Sequence, residues 1–129
     1  MPNVAFLRIN IDNIGYYFEK GEVSEIWVTF PDPQPKSERR RLVSPRFVGF
    51  YREVLPEGGG LLNLKTDSRL LYEYVRETAP TAGWGVEADI EDVYAEGAGA
   101  DAVFTEVQTF YEKMWLAEGR TISYLRLKI

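Results

Sequence analysis

The sequence predicts an α/β fold built on a mostly parallel sheet, because short apolar runs alternate with amphipathic helical patterns along its 129 residues. Ile26–Phe30 and Leu61–Thr66 are typical of buried parallel strands, and a helical pattern follows each of them. Trp84–Val93 and Ile122–Ile129 are the last two predicted strands, which we expect to pair antiparallel at one edge. No linker is long enough for a boundary, so residues 1–129 should form one domain.

The remaining elements are predicted from capping residues and apolar periodicity. Ser44 followed by Pro45 places an N-cap hydroxyl before a proline at the first helical position. Gly119 is a typical helix stop, and Gly97–Asp101 opens no βαβ unit, so we interpret it as a loop. The elements predicted in this way are a strand over Asn3–Asn10 and helices over residues 12–19, 44–55, 68–78 and 109–118.

The composition excludes several kinds of chemistry. The chain has no cysteine and no histidine, which excludes disulfides, thiolate or imidazole metal sites and Ser-His-Asp catalysis, and we predict no metal site. No apolar run approaches the roughly 20 residues that a membrane span needs. No signal peptide begins the sequence, so we expect a cytoplasmic protein without a membrane partner.

Charge is distributed unevenly along the chain. The net charge of −5 argues against a nucleic-acid partner when it is taken as a whole. Residues 36–52, however, hold six basic residues and one acid, whereas residues 84–106 hold seven acids and no Lys or Arg. Because salt limits the reach of a charge to about 10 Å at ~0.1 M, the local basic patch matters more for docking than the total.

The stretch after the first buried strand is the strongest candidate for a functional site. Pro31, Pro33 and Pro35 prevent helix formation and sheet pairing, so the backbone stays extended and Asp32 lies at the carboxyl end of the strand. Open α/β sheets bind their ligands at this end. Asp67 holds the same position after the next strand, so we expect both carboxylates at one edge of the sheet.

Each candidate also has an ordinary structural explanation. Asp32 between prolines is a typical turn residue, and Asp67 is typical of a helix cap. Arg39–Arg41, taken alone, is most often a solvated surface. Thr109 is an N-cap residue, and Glu112 three residues later completes a capping box. None of these residues is specific alone, whereas their order along the chain is informative.

Four segments in a fixed order resemble the bacterial tRNA (guanine-N7) methyltransferases. That family carries a Phe-Pro-Asp-Pro-Trp-Pro-Lys segment, a Lys-Thr-Asp strand end and a Thr-x-Tyr-Glu helix start at similar spacing. The matching segments here are Pro31–Lys36, Arg40–Leu42, Lys65–Asp67 and Thr109–Glu112, with Gly119 and Ile122 beyond them. The resemblance runs over nearly the whole chain.

The resemblance implies transfer of a methyl group from S-adenosyl-L-methionine to N7 of a guanine in the tRNA variable loop. Asp32 matches the proposed catalytic residue, which borders the cofactor, and Asn10 matches a position near the cofactor's adenine. Positions that contact the substrate in the family match Lys36, Asp67, Thr109 and Glu112. The basic residues that suit docking on tRNA phosphates are Lys36, Arg39, Arg40 and Arg41.

The chemistry of guanine agrees with this assignment. N7 already presents a lone pair, so no proton has to be removed before attack, and a chain without histidine can serve the reaction. The remaining task is to align N7, methyl and sulfur, which can supply roughly 7–11 kcal/mol in the best cases. Guanine N1–H and N2–H₂ are donors, so acceptor-only carboxylates such as Asp32, Asp67 or Glu112 suit that edge.

The sequence departs from the family in several places. Gln34 replaces a tryptophan, Asn10 replaces an acid, and residues 36–42 form a shorter segment without its histidine. The Gly-rich cofactor loop has no counterpart. We therefore expect the C-terminal half of a methyltransferase domain, inactive alone, with a partial Rossmann-like class I sheet that holds strands 3–7 of seven in the order 3-2-1-4-5-7-6.

Two further hypotheses follow from the missing strands. The predicted strand Asn3–Asn10 should be displaced onto Ile26–Phe30 or onto another molecule, because a bare apolar edge is a template for pairing. Pairing with another molecule would give a homodimer through the exposed strand edge. The alternative functions are a non-catalytic RNA-binding module and a different nucleobase N-methyltransferase.

Overall fold

The computed structural model describes residues 3–95 and 110–129, and within these ranges it forms a mixed α/β fold around one four-stranded sheet. The strands are β1 Glu25–Thr29, β2 Leu61–Thr66, β3 Gly85–Ile90 and β4 Ser123–Lys128. The α-helices are α1 Pro45–Arg52, α2 Arg69–Ala82 and α3 Phe110–Ala117, and the 3₁₀ helices are Ile11–Tyr16 and Glu38–Arg40. None of the helices in the described part of the chain could cross a membrane.

The strands lie in the order β1-β2-β4-β3, and both kinds of pairing are present. β1 is parallel to β2, with Val28 opposite Leu64. β4 lies between β2 and β3 and is antiparallel to both of them, with Ser123 opposite Thr66 at its start. The prediction of a parallel pair followed by an antiparallel edge pair is therefore confirmed. This order places the start of β4 beside the carboxyl end of β2.

The main core lies between one face of the sheet and the first two helices. Apolar residues of β1, β2 and β4 form one buried cluster with residues of α1 and α2. The largest fully buried members of this cluster are Tyr51, Leu55, Leu62, Leu64, Leu71, Tyr72, Leu125 and Leu127. A smaller cluster lies on the other side, where Trp115 and Leu116 of α3 pack against Val93, Ile122 and Tyr124. Helices therefore cover parts of both faces, as in α/β folds generally.

Local capping explains where the helices begin and end. Ser68 Oγ accepts a hydrogen bond from Leu71 N at 3.1 Å, which satisfies one of the free amides at the start of α2. Gly83, with φ of 77°, ends α2, and Gly119, with φ of 76°, follows α3 as the sequence predicted. Ser44 is the N-cap residue of α1, as predicted, although its hydroxyl donates to Arg39 O instead of capping the helix.

Three predictions about elements need correction. Asn3–Asn10 forms no strand, because no neighbouring strand supplies a hydrogen-bonding partner and the segment is mostly exposed. The predicted helix over residues 12–19 is a 3₁₀ helix over Ile11–Tyr16, with Ile14 buried but Tyr17 54% exposed. β3 is shorter than Trp84–Val93 and contains a bulge between Val86 and Ala88 that interrupts the predicted alternation. The Gly97–Asp101 loop lies outside the described residues.

The outer edge of β1 has no partner strand in the described part of the chain. β1 pairs only with β2 there, and Trp27 in its centre is 41% exposed. The hypothesis that Asn3–Asn10 pairs with its own chain's Ile26–Phe30 is therefore wrong. A groove of about 260 Å³ runs beside this strand, and Ile11 and Pro31 belong to its lining.

Candidate functional site

The carboxyl ends of β1 and β2 open into one cleft. Because the two strands are parallel, the residues that follow them lie at the same edge of the sheet. The cleft has a volume of about 490 Å³. Its lining residues are Phe30, Pro31, Asp32, Pro33, Asp67, Ser68, Trp115 and Arg120. The structure thus brings the two predicted strand-end carboxylates, Asp32 and Asp67, to one cavity.

The Pro-rich turn holds Asp32 in a defined position. Phe30 has φ of 51° and Gln34 has φ of 46°, a left-handed backbone conformation that is uncommon outside glycine. Phe30 N donates to Lys65 O at 2.8 Å, which ties the beginning of the turn to β2. Asp32 Oδ1 accepts from Gln34 N at 2.9 Å. The Asp32 side chain remains exposed at the cleft.

The three consecutive arginines do not share one environment. Arg39 and Arg40, in the second 3₁₀ helix, are exposed, and Lys36 is exposed as well. Arg41 is only 4% exposed. Its Nε donates to Pro33 O at 2.8 Å, and its guanidinium lies 4.4 Å from the centroid of the Tyr74 ring. Arg41 therefore holds the Pro-rich turn against α2, whereas Lys36, Arg39 and Arg40 keep exposed side chains.

Asp67 is partly shielded by a residue that the sequence did not single out. Arg120 Nη1 donates to Asp67 Oδ2 at 2.6 Å. The same guanidinium lies 3.9 Å from the centroid of the Trp115 ring. Topology was the signal that could have revealed Arg120, since residues just before an antiparallel last strand arrive at the carboxyl ends of its parallel neighbours. The hydrogen bond to Asp67 raises the pKa of Arg120 above its usual value, so the side chain stays cationic.

Glu112 is fully buried and is not among the residues that line the cleft. Its Oε1 lies 2.5 Å from Lys65 Nζ, and the two side chains are 0% and 5% exposed. Tyr94 donates its hydroxyl to the same oxygen at 2.5 Å. A buried carboxylate needs partners of this kind, because burial removes it from water. The described geometry therefore supports a role for Glu112 in fixing the start of α3.

The predicted cofactor-binding residue Asn10 lies apart from the residues of this cleft. Asn10 is exposed at the N-terminal end of the first 3₁₀ helix, where its carbonyl accepts from Asn13 N at 2.9 Å, and it does not line the cleft. Thr109 lies outside the described residues. In the part of the chain that the structure describes, no group of three or more His, Cys, Asp or Glu side chains could hold a metal ion.

A second cleft of about 700 Å³ lies on the other side of Arg120. Asp67 and Arg120 line both cavities, so their ion pair forms part of the wall between them. The further charged lining of this second cleft consists of one cation and three acids: Arg69, Asp89, Glu91 and Asp92. The excess of acids makes this second cleft unfavourable for phosphate groups.

The fold and the cleft together define an α/β protein with a ligand site at the carboxyl ends of its parallel strands. Comparison with known families narrows this class. The family model described as "Putative methyltransferase" matches residues 1–125. The chain belongs to this family of methyltransferases.

Curated relatives carry a more specific description. A tRNA (guanine-N(7)-)-methyltransferase of Porphyromonas gingivalis is 43% identical over 97% of this chain and 50% of its own length. The enzyme of the same name from Bacteroides fragilis is 42% identical over 98% of the chain and 49% of its own length. That of Leuconostoc mesenteroides is 38% identical over 95% of the chain and 56% of its own length. The chain thus spans about half the length of the curated relatives that it matches.

Proposed function

We propose that residues 1–129 are the C-terminal half of a tRNA guanine-N7 methyltransferase domain that works in the cytoplasm. The observation that carries the proposal is the meeting of Asp32 and Asp67 in one cleft, in a chain matched along 97% of its length by an enzyme of that name. The strand order β1-β2-β4-β3 is consistent with strands 4-5-7-6 of a class I methyltransferase sheet. The Porphyromonas gingivalis relative also contains a segment of similar length that this chain does not match.

The reaction requires alignment more than proton transfer. Guanine N7 attacks with an existing lone pair, so the site has to hold the base and the methyl donor in line. Asp32 is the proposed catalytic residue, because its carboxylate lies at the strand end and is fixed by the amide of Gln34. Asp67 and Thr109 are proposed to contact the guanine, and Glu112 is proposed to hold that contact region from below.

The methyl donor in this proposal is S-adenosyl-L-methionine, which supplies a methyl group on a sulfonium centre. The described residues suit one end of this molecule. The Asp32 carboxylate, beside the apolar surface of Phe30 and Pro31, is complementary to a sulfonium cation. For the adenosine end, Asn10 is the candidate by resemblance, and it lies outside the cleft. We therefore expect weak cofactor binding by this chain alone.

The transfer RNA partner is proposed to dock through Lys36, Arg39 and Arg40. All three side chains are exposed and lie close in sequence to the Pro-rich turn that carries Asp32. Contacts from such side chains to phosphates position the nucleic acid without reading its sequence. Arg41, which the resemblance also pointed to, contributes by holding the turn. A homodimer through the outer edge of β1 remains a separate hypothesis, which sedimentation of the chain would test.

The test is reconstitution. The 129-residue chain is mixed with the part of the Porphyromonas gingivalis relative that it does not match, and methyl transfer to tRNA is followed with labelled S-adenosylmethionine. We expect N7-methylguanosine in the nucleoside digest, and we expect the chain alone to give none. D32N should abolish transfer while leaving tRNA binding unchanged, since Asp32 acts on the aligned groups. Tight, salt-dependent tRNA binding without transfer in the reconstituted pair would favour a non-catalytic RNA-binding module.

A further inference from the structure

Arg120 presents a planar cation between a carboxylate and an indole. Its Nη1 donates to Asp67 Oδ2 at 2.6 Å, and its Nε donates to Glu118 Oε2 at 3.1 Å. Its Cζ lies 3.9 Å from the centroid of the Trp115 ring, a normal stacking distance. Asp67, Trp115 and Arg120 all line the cleft that contains Asp32. The position between Asp67 and Trp115 therefore suits a flat group with paired N–H donors in both shape and charge.

Guanine contains the same arrangement of atoms. Its N1–H, C2 and N2–H₂ form a planar guanidine unit with adjacent donors, and its face stacks on aromatic rings. We propose that Asp67 and Trp115 form a subsite for a guanine base, which the Arg120 guanidinium occupies until a guanine displaces it. This inference rests on the proposed function, which already places Asp67 against the guanine. It deepens that proposal by adding Trp115 as the stacking surface and Arg120 as the group that the base displaces.

The hydrogen-bonding pattern gives the subsite its specificity. An ionised carboxylate only accepts hydrogen bonds. Guanine turns two donors toward Asp67, whereas adenine presents a lone pair at N1 beside one donor at N6. Adenine would therefore place a lone pair against a carboxylate oxygen, and a polar site that mismatches its ligand discriminates strongly. The stacking surface of Trp115 accepts either purine, so the preference for guanine over adenine depends on Asp67.

The Arg120 side chain can leave without unfolding the protein. It is 46% exposed, and both of its ion pairs involve groups that water reaches, Asp67 at 16% and Glu118 at 50% exposure. The exposed pair with Glu118 is weak, because water solvates the separated charges. The pair with Asp67 is partly shielded, and water still reaches both of its members. The N7 edge of a purine is opposite N1 and N2, so a base held at Asp67 keeps N7 free of that carboxylate. Asp32 belongs to the remaining lining of the same cleft.

A titration of the 129-residue chain with guanosine 5′-monophosphate and adenosine 5′-monophosphate tests the subsite. The chain has three tryptophans, whose indole N–H signals are resolved by NMR, and W115F identifies the signal of Trp115. We expect guanosine monophosphate to shift this signal and to bind more tightly than adenosine monophosphate. R120M removes the competing cation while keeping an apolar side chain near the indole. It should therefore bind guanosine monophosphate about two- to fivefold more tightly.

A matched control separates this effect from a general loss of positive charge. Arg76 also pairs with a carboxylate, Asp89 at 2.9 Å, and also lies near an aromatic ring, Tyr72 at 5.3 Å, but it does not line the cleft. R76M should leave guanosine monophosphate binding unchanged. D67N should reduce the preference for guanine over adenine by about tenfold or more. If D67N fails to fold, the comparison of guanosine monophosphate binding by R120M and R76M still tests the subsite.

Two results would overturn the subsite. One is weaker binding of guanosine monophosphate by R120M than by the parent chain, which would make Arg120 a ligand contact. The other is that guanosine monophosphate shifts the Trp115 signal neither in the parent chain nor in R120M. The proposed function fails separately: if guanosine monophosphate binds as described but reconstitution yields no N7-methylguanosine, the subsite stands and the transferase assignment does not. If the reconstituted pair transfers methyl groups equally well with D67N and W115F, the transferase assignment stands and the subsite does not.

Discussion

Lys65 Nζ lies 2.5 Å from Glu112 Oε1, and the two side chains are 5% and 0% exposed. Lys65 belongs to β2, and Glu112 belongs to the first turn of α3, so this buried ion pair joins the sheet to the helix beside the cleft. Tyr94 donates to the same carboxylate oxygen. The pair therefore fixes where α3 begins, and with it the place of Trp115 one turn further on.

Removal of one member of this pair should destabilise the fold strongly. K65M leaves a buried carboxylate without its cation, a change that typically costs about 3–5 kcal/mol. K65M/E112L removes both charges and should be more stable than K65M, because apolar replacement of a whole buried pair is often neutral. The free energy of unfolding is measured by urea denaturation. A double variant that is less stable than K65M would contradict this prediction, because removing the carboxylate would then cost more than leaving it buried without its cation.

A second prediction concerns the polar network on the sheet around Asn63, which is 0% exposed. Asn63 Nδ2 donates to Glu25 Oε1 at 2.6 Å, and Asn63 Oδ1 accepts from Tyr124 Oη at 2.6 Å and from Arg126 Nε at 3.0 Å. N63L removes the common partner of three polar groups, and we expect a loss of about 2–4 kcal/mol. Y124F removes one bond and should cost about 1 kcal/mol.

The double variant N63L/Y124F provides the check on this network. Residues in one hydrogen-bond network are not independent, so the loss in N63L/Y124F should be smaller than the sum of the two single losses. Denaturation in urea measures all three variants under one condition. Strict additivity would contradict the coupling of Asn63 and Tyr124.

Local patterns predicted most of the fold, because strands, helix starts and helix stops depend on nearby residues. The Ser44-Pro45 start and the Gly119 stop were correct for this reason. Asn3–Asn10 was wrong because a strand also needs a partner, and its composition says nothing about one. Strand pairing depends on contacts between distant segments, which periodicity alone does not specify.

The candidate site was also predictable only where it depends on nearby residues in the sequence. Asp32 and Asp67 were found because each directly follows a parallel strand, and the two strands bring them into one cleft. The sequence alone could not show that Arg41 is buried and Arg40 is not, because the burial of Arg41 depends on the distant Tyr74 ring. Arg120 was missed since its contact with Asp67 joins residues 53 positions apart.

Stability should fall at alkaline pH through buried tyrosines. Burial first, and then the hydrogen bond that its hydroxyl donates to Asp89, raise the pKa of Tyr72 from 10.0 to about 12. The folded protein therefore keeps a proton that the unfolded chain loses, so the contribution of Tyr72 is complete below pH 10. It is lost as the pH rises from 10 to about 12.

Urea denaturation at several pH values across this window measures the effect. Y72F should flatten the decline in unfolding free energy above pH 10. It should leave part of the decline, because burial also raises the pKa of Tyr51 and of Tyr124. An unchanged slope in Y72F would mean that Tyr72 ionises equally well in the folded and unfolded states.

The last prediction separates two neighbouring arginines that have the same charge but different surroundings. Arg41 is 4% exposed and donates to Pro33 O, so R41A should lower the unfolding free energy by about 1–3 kcal/mol through the lost bond and the lost contact with Tyr74. Arg40 is exposed, so R40A should change stability by no more than about 0.5 kcal/mol. If Arg40 contacts a tRNA phosphate, R40A should weaken tRNA binding and reduce the salt slope by about one. Urea denaturation and tRNA binding at several salt concentrations measure the two effects, and a larger stability loss in R40A than in R41A would contradict the assignment.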